Sequence, residues 1–319
     1  MEKLRAAVVG VGYLGRFHAQ KYAALPGCVL AAVADTRAEV AAAVAQELKT
    51  RAVGDYRELL GQVDAVSIAT PTPAHYAMAR EFLESGAHVL VEKPITETVE
   101  QARMLIGAAA AARRVLQVGH LERFNPAIVA AEPVLRTPRF IECQRLAPFR
   151  ERGTDVNVVL DLMIHDLDIV QSIVGSPISG IDAIGTPVFS AEIDIANARI
   201  RFANGCVANA TASRVSLKTE RKLRIFQDDA YLSIDLQQKI LTVIRKQPVA
   251  AGEQRLPVSI DEQSFDQGDA LLTEIEAFLA SCRGERPVVV SGEDGMRALQ
   301  TAVTITSAVH GGSVRVAGP

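Results

Sequence analysis

The stretch Val8-Val9-Gly10-Val11-Gly12-Tyr13-Leu14-Gly15 decides the fold. Its glycines follow the pattern G-x-G-x-x-G, between a strand predicted over residues 4–9 and a helix predicted over residues 15–24. In this pattern the first glycine permits a tight turn, the second lets a pyrophosphate approach the backbone, and the third brings the helix close to the strand. The helix N-terminus adds N–H donors and the positive end of a dipole. We therefore expect a dinucleotide to contact Gly10, Gly12, Tyr13, Leu14 and Gly15.

An acidic residue stands at the spacing that such a site requires. Asp35 ends the second predicted strand, 20 residues after Gly15. An Asp at this place accepts hydrogen bonds from the ribose hydroxyls and repels a 2′-phosphate, which favours NAD over NADP. Arg37 lies close by and softens that preference. Asp35, Thr36 and Arg37 are therefore predicted to contact the adenosine end of NAD.

Short apolar runs alternate with helical patterns over the first third of the chain. The patterns predict strands over residues 4–9, 29–34, 52–53, 65–69, 88–91 and 115–118, and helices over residues 15–24, 37–48, 74–85 and 99–112. The strand segments are continuously apolar, as in a parallel sheet that helices cover on both faces. The βαβα order predicts a doubly wound α/β fold of the Rossmann type.

Two of these strands end in residues that suit a ligand site. The fourth is followed by Thr70, Pro71 and His75, and the fifth ends in Glu92-Lys93-Pro94. Carboxyl ends of parallel strands line the ligand crevice in such sheets, so Thr70, Pro71, His75, Glu92 and Lys93 are predicted to border the cofactor. The alternatives are a simple proline turn with a surface His75, and a solvated Lys93.

A second group of candidates lies in an apolar, helical stretch over residues 158–174. Asp161 and His165 are four residues apart and share one helix face, and Asp168 is on roughly the same side. An isolated histidine on such a helix is usually a core residue. Carboxylate neighbours change this expectation, because unpaired charge is costly to bury and clusters of this kind occur at functional sites.

At this point the motifs resemble the Gfo/Idh/MocA oxidoreductases over nearly the whole chain. The resemblance rests on the glycine loop, Thr70-Pro71, Glu92-Lys93-Pro94, Asp161-x-x-x-His165 and Asp294-Gly295-x-Arg297-Ala298-Leu299. It implies that Lys93, Asp161 and His165 form the catalytic set. In that scheme His165 accepts the proton of a secondary alcohol, Lys93 stabilises the developing alkoxide, and Asp161 holds the substrate or orients its neighbours. The nicotinamide takes the hydride, and no metal or covalent nucleophile is required.

The pattern changes at about residue 121, which we interpret as a boundary between an NAD-binding domain (residues 1–120) and a second α+β domain (residues 121–319). Ile195, Ile200 and Phe202 alternate with polar residues, as do Leu223 with Ile225 and Leu232 with Ile234. Such strands form antiparallel sheets with one covered face. The resemblance implies a large open sheet that joins subunits, in a homodimer or homotetramer. Helices over residues 270–281 and 293–309 are expected to pack back on the first domain.

The substrate is suggested by two further stretches. Residues 119–126 include Arg123 and Asn125, and three arginines precede the second helical stretch: Arg145, Arg150 and Arg152. The planar guanidinium suits phosphate oxygens, so these arginines are candidates for a diphosphate; the alternative is a solvated loop or a subunit contact.

Within the family, these stretches are similar to the dehydrogenases that oxidise C3 of UDP-N-acetylglucosamine for a partner aminotransferase of lipid A synthesis. That likeness implies that Arg123 and Asn125 lie near the sugar. A dehydrogenase of a free polyol or sugar and a non-catalytic NAD-binding regulator remain the alternatives.

Composition narrows the remaining classes. The formal net charge of −3 gives no broad attraction to nucleic acid or to an anionic membrane. The four cysteines form no CxxC pair, which indicates reduced thiols and no metal site. No targeting segment and no run of about 18 apolar residues is visible, so we expect a cytoplasmic protein.

Overall fold

The computed structural model describes residues 3–150, 156–247, 257–265, 268–311 and 314–315. The chain divides into two compact units. The first comprises Met1–Leu121 and Asp269–Leu299, and the second comprises Glu122–Gly268 and Gln300–Pro319. Within the described ranges, no helix combines the length and the apolar composition that a membrane span requires.

The first unit contains a six-stranded parallel sheet, in the order β3-β2-β1-β4-β5-β6. Its strands are β1 (Leu4–Val9), β2 (Cys28–Ala34), β3 (Arg51–Val53), β4 (Ala65–Ile68), β5 (His88–Glu92) and β6 (Leu116–Gly119). All four residues of β4 are buried, which is why these strands read as continuous apolar runs. The order reverses between β1 and β4, and this is the point where ligands bind in open α/β sheets.

Helices connect these strands and complete the predicted Rossmann arrangement. They are α1 (Tyr13–Ala24), α2 (Ala38–Leu48), α3 (His75–Glu84) and α4 (Val99–Ala112). Thr98 begins α4 with a reciprocal capping box, in which its side chain accepts from the Gln101 amide and the Gln101 side chain accepts from the Thr98 amide. A later helix, α7 (Ala270–Cys282), places Ile275 and Phe278 in the same apolar cluster as Tyr22 of α1.

The second unit contains a nine-stranded sheet, in the order β14-β13-β12-β11-β7-β10-β9-β8-β15. The strands are β7 (Pro138–Leu146), β8 (Ile178–Thr186), β9 (Ile195–Phe202), β10 (Val207–Ser213), β11 (Glu220–Gln227), β12 (Ala230–Asp235), β13 (Ile240–Lys246), β14 (Val258–Ser264) and β15 (Val314–Arg315). Neighbours are antiparallel except β7 and β10, which run parallel. Alternating burial along β9 follows the predicted pattern. The two sheets confirm the expected fold class.

The helical stretch over residues 158–174 is not one regular helix. Val159–Met163 forms a π-helical turn, α6 (Ile164–Val174) follows it, and Gly175 ends α6 at a φ of 57°. The Oδ1 atom of Asn157 accepts hydrogen bonds from the amides of Val159 and Leu160, both at 3.1 Å. The remaining helices are α5 (Pro126–Ala131) and α8 (Gly292–Gly311). The π turn lies directly before His165. Single π-helical turns of this kind are frequent at functional sites.

Candidate active site

The glycine loop is closed so tightly that side chains do not fit at two of its positions. Gly10 has a φ of 82°, and a Cβ atom there would lie 2.8 Å from the carbonyl oxygen of Ala69. A Cβ atom at Gly15 would lie 1.8 Å from the carbonyl oxygen of Gly10. Both positions therefore require glycine, one for conformation and close approach and the other for the packing of α1 against the loop.

The N-terminus of α1 has the properties of a phosphate site. Gly12 occupies the N-cap position and provides no side-chain cap, and the first turn contains no acidic residue. The first N–H groups and the positive end of the helix dipole are therefore presented to an anionic group rather than to a side chain of the helix itself. Tyr13 is 72% exposed and Leu14 is 36% exposed, so both can contact a ligand at this end. The loop thus fits the pyrophosphate of a dinucleotide.

Asp35 lies at the carboxyl end of the neighbouring strand, β2. Its buried carboxylate accepts hydrogen bonds from the Val11 amide at 3.1 Å and from the Arg37 amide at 3.0 Å. The Arg37 side chain adds an ion pair at 3.1 Å. Burial raises the pKa of Asp35, but these hydrogen bonds and the positive charge of Arg37 outweigh it and hold the pKa below its ordinary value. The carboxylate of Asp35, beside the glycine loop, is therefore a stable anion. Thr36 and Arg37, which follow it in the sequence, are exposed.

His75 lies inside the unit and connects two loops. Its Nδ1 atom is 2.8 Å from the carbonyl oxygen of Pro94, and its Nε2 atom is 2.8 Å from that of Thr70. Burial lowers the pKa of His75 below its ordinary value, against the two carbonyl contacts that raise it. The imidazole is 1% exposed and holds the end of β4 near the Lys93–Pro94 segment, which contains a cis peptide bond. Pro71 is exposed, and Thr70 is half-buried.

Glu92 and Lys93 follow β5 at the same carboxyl edge of the sheet. One carboxylate oxygen of Glu92 is 3.1 Å from Nε2 of His18, and the other accepts from the Lys93 amide at 3.3 Å. A Cβ atom at Gly119 would lie 2.8 Å from the Glu92 carboxyl group, so the glycine that ends β6 makes room for it. Lys93 itself is half-buried.

In the second unit, Asp161 lies in the π turn and His165 in the first turn of α6. Both side chains are half-buried, whereas the neighbouring Asp166 and Asp168 are buried. Asp168 pairs with the Nη1 atom of Arg123 at 3.5 Å. The helix therefore keeps Asp161 and His165 accessible while its other carboxylates face the interior.

The three predicted arginines have different surroundings. Arg145, on β7, is 3% exposed and donates to both carboxylate oxygens of Asp166, at 2.8 and 3.0 Å, and to Glu122 at 2.9 Å. Arg150 is exposed, and Arg152 lies outside the described residues. The guanidinium of Arg145 is thus engaged by two carboxylates of its own unit, which leaves it supporting α6.

Asn125 also has internal partners. Its Oδ1 atom caps α5 by accepting from the Ala127 amide at 3.1 Å, and its Nδ2 atom donates to the Leu236 carbonyl oxygen at 2.8 Å. The side chain is 5% exposed. Its local role is to fix the start of α5.

Four residues at these sites were not predicted from the sequence, and all are buried. They are His18, Glu274, Glu122 and Asp166. His18 follows Gly15 by one helical turn, and a search for polar residues on the inner face of α1 would have found it. Glu274 sits among apolar residues of α7, where a carboxylate at a core position is the available signal.

Comparison with known proteins matches both units to one family. The profile described as "Oxidoreductase family, NAD-binding Rossmann fold" matches residues 4–120, and the profile described as "Oxidoreductase family, C-terminal alpha/beta domain" matches residues 149–317. The chain belongs to the Gfo/Idh/MocA oxidoreductase family. The glycine loop, the α1 N-terminus and Asp35 all lie in the part of the chain that matches the NAD-binding model.

Relatives of this Gfo/Idh/MocA chain include dehydrogenases of sugars and polyols. It is 42% identical to UDP-N-acetylglucosamine 3-dehydrogenase of Acidithiobacillus ferrooxidans, covering 97% of this chain and 98% of that protein. A solved structure of that enzyme superposes with a TM-score of 0.91. The NAD-dependent scyllo-inositol 2-dehydrogenase of Bacillus subtilis is 30% identical over 67% of this chain and 68% of its own length. Levoglucosan dehydrogenase in complex with NADH, at 20% identity, covers 100% of both chains and shares the fold with a TM-score of 0.86.

Proposed function

We propose that this enzyme oxidises the C3 hydroxyl of UDP-N-acetylglucosamine to a 3-keto sugar nucleotide, with NAD as the oxidant. The observation that carries the proposal is the 42% identity, over almost the full length of both chains, to a UDP-N-acetylglucosamine 3-dehydrogenase. The NAD site in the first unit supports it. Similarity that extends through the second unit matters most, because the substrate-determining stretches of the sequence lie there.

The proposed roles of the chain's own side chains follow from the reaction. Loss of hydrogen from a secondary alcohol requires removal of the hydroxyl proton, and we assign this to the half-buried imidazole of His165. Lys93 donates a hydrogen bond to the same oxygen and stabilises its developing negative charge. Asp161 holds the substrate. NAD, when bound, accepts the hydride at its nicotinamide ring.

We assign the diphosphate to two arginines that precede the π turn in the sequence, Arg150 and Arg152. Arg150 is exposed at the end of the described segment before the π turn, and Arg152 belongs to the same assignment. Arg145 contributes indirectly, since its guanidinium is engaged by Asp166 and Glu122. Arg123 and Asn125 border the sugar in this proposal, with Arg123 oriented by Asp168.

The chemistry of the product suggests its use. A 3-keto sugar is the substrate that an aminotransferase needs to place nitrogen at C3, so we propose that a partner aminotransferase of lipid A precursor synthesis consumes it in the cytoplasm. We further propose a homodimer or homotetramer joined through the second sheet. Large apolar side chains exposed on two of its strands support this, with Ile184 of β8 at 72% and Ile260 of β14 at 62% exposure.

A second candidate substrate is a free polyol. It is favoured by the similarity to scyllo-inositol 2-dehydrogenase, although that match covers only 67% of the chain. A polyol carries no diphosphate. Replacement of Arg150 and Arg152 by Ala should therefore leave activity on a polyol unchanged and raise KM for a UDP-sugar.

The test measures NADH absorbance with UDP-N-acetylglucosamine, UDP-glucose, free N-acetylglucosamine and myo-inositol, with hydroxylamine present to trap a ketone. We expect turnover with UDP-N-acetylglucosamine. Lys93→Met and His165→Asn should each lower kcat by about a hundred- to ten-thousand-fold, the usual contribution of acid–base and alkoxide-stabilising groups.

NADH binding, followed by fluorescence, should survive both substitutions, and His310→Asn, an exposed histidine of α8, is the matched control. Turnover confined to myo-inositol would overturn the proposed substrate. NAD binding with no turnover on any compound would indicate a regulator.

A further inference from the structure

A series of buried polar side chains leads to Glu92, at the end of β5. The Tyr22 hydroxyl is 2.8 Å from Oγ of Ser67, which is 3.2 Å from Nδ1 of His18. The other ring nitrogen of His18 is 3.1 Å from the Glu92 carboxylate. Tyr22, Ser67 and His18 are fully buried. This series of polar side chains therefore ends at the carboxylate of Glu92, which also accepts a hydrogen bond from the Lys93 amide.

A second carboxyl group, on α7, lies near this series of polar side chains. Glu274 is fully buried, and within the described part of the protein neither of its carboxyl oxygens has a hydrogen-bond partner. One polar atom each from His18, Glu92 and Glu274 lies within 4.8 Å of the others. The Gln117 side chain does not satisfy the carboxyl group, because its Nε2 atom donates to the Glu274 backbone oxygen, at 3.3 Å.

The charges around Glu274 do not favour a carboxylate. The titratable groups that face it are Glu92 from β5 and His18 and Tyr22 from α1, while Gln117 from β6 is neutral. Burial raises the pKa of Glu274 well above its ordinary value, and the negative charge of Glu92 raises it further. Two carboxyl groups this close in the protein interior disfavour ionisation of both, because Glu274 would then carry a buried, unpaired charge beside a charge of the same sign.

We propose that Glu274 keeps its proton in the folded protein and donates a hydrogen bond toward Glu92 through one bridging water molecule. The pair then carries one proton, on Glu274, and one negative charge, on Glu92. Glu274 is in this sense a positioning residue: together with His18 and the Lys93 amide, it fixes the carboxylate at the end of β5. The inference concerns the folded first unit and does not depend on the substrate assigned above.

Proton linkage provides the test. A group that is protonated in the fold but ionised in the unfolded chain makes the protein less stable as pH rises above the ordinary pKa of Glu. Glu274→Gln removes this proton while keeping the shape and an N–H donor for Glu92. Relative to Glu274→Gln, the unfolding constant of the wild-type protein should rise about tenfold for each pH unit between about pH 5 and the pKa of Glu274 in the folded protein.

The measurement is the urea unfolding curve of the full chain at a series of pH values. Glu276→Gln is the matched control, because Glu276 is exposed on the same helix and should show the wild-type pH dependence. If the difference between wild type and Glu274→Gln is constant with pH, Glu274 is ionised in the fold and the proposal is wrong.

Infrared spectroscopy keeps the proposal testable even if Glu274→Gln does not fold. At about pH 7 the wild-type protein should show the C=O band of a protonated carboxylic acid. Absence of that band overturns the proposal. So does a urea midpoint that Zn²⁺ raises and EDTA lowers in wild type but not in Glu274→Gln, since a cation would then hold the three side chains together.

Discussion

At the scale of a single residue, the carboxylate of Asp35 has two roles. It accepts from the Val11 amide and so fixes the glycine loop, and it places a negative charge at the end of β2. Arg37 neutralises part of this charge from an exposed position. We therefore propose that the selectivity between NAD and NADP depends on the balance between one buried anion, Asp35, and one exposed cation, Arg37.

Asp35→Asn should shift that balance toward NADP. The amide still offers an oxygen to Val11, but it no longer repels a 2′-phosphate, and Arg37 is released to bind one. We expect the ratio of the Kd for NADPH to the Kd for NADH to fall by about ten- to a hundredfold, the value of one charge-assisted contact. Fluorescence titration with both cofactors measures it.

Glu39→Gln, an exposed acidic residue in the first turn of α2, is the control and should leave the ratio unchanged. An unchanged ratio in Asp35→Asn as well would show that Asp35 does not determine cofactor choice.

At the scale of elements, Arg145 joins β7 to α6 and to the segment before α5. Its guanidinium contacts Asp166 and Glu122 in a buried network that Arg221 extends, with its Nη1 atom 3.4 Å from Glu122. Buried networks of this kind are costly to interrupt, because each remaining carboxylate loses the cation that compensates its burial. The network thus fixes the helix that carries His165.

Replacement of Arg145 by Met should destabilise the second unit by about 3–5 kcal/mol, since two buried carboxylates lose their partner. Urea unfolding measures the change. The matched control is Arg139→Ala on the same strand, where the ion pair with Asp228 has side-chain exposures of 64% and 74%, and the expected change is within about 0.5 kcal/mol. Equal midpoints for the two variants, with a raised KM for a UDP-sugar in Arg145→Met, would instead indicate that Arg145 binds the diphosphate.

The sequence predicted those elements whose local pattern agrees with their surroundings. The first sheet followed from continuous apolar runs bounded by glycines, and α4 was predicted with its observed bounds, Val99–Ala112. The π turn at Val159–Met163 was not predicted, because apolar periodicity does not distinguish 3.6 from 4.4 residues per turn over five residues. Strand β7 was also not predicted, so the sequence did not show that Arg145, a candidate for the diphosphate, would lie on a strand and donate to Asp166.

The features of the candidate site also divide into those that the sequence predicted and those that it did not. The close approach at Gly10 and Gly15 and the place of Asp35 beside them were predictable, because the glycine pattern and the acidic residue after the second strand stand at a fixed spacing. The partners of Arg145 and the meeting of His18, Glu92 and Glu274 were not, because they join residues up to 256 positions apart (His18 to Glu274). Contacts between residues so far apart in the sequence depend on tertiary packing, about which a single sequence contains little direct information.

At the scale of the whole molecule, the chain contains two parts that match two models of the same oxidoreductase family, an NAD-binding Rossmann domain and a C-terminal α/β domain. Its near balance of charges gives no broad electrostatic field, so the proposed recognition of a diphosphate depends on local groups such as the exposed Arg150. The relatives act on different sugars and polyols, so the family fold alone leaves the oxidised carbon open. We propose that the oxidised carbon is C3 of UDP-N-acetylglucosamine.

Isotope transfer tests this claim most directly. The enzyme is incubated with NAD and UDP-N-acetylglucosamine that carries deuterium at C3, and the reduced cofactor is analysed by mass spectrometry. The account predicts that the deuterium appears in the reduced cofactor, and that substrate labelled at C4 gives unlabelled NADH. Deuterium transferred from C4, or NADH without label from the C3 substrate, would contradict it.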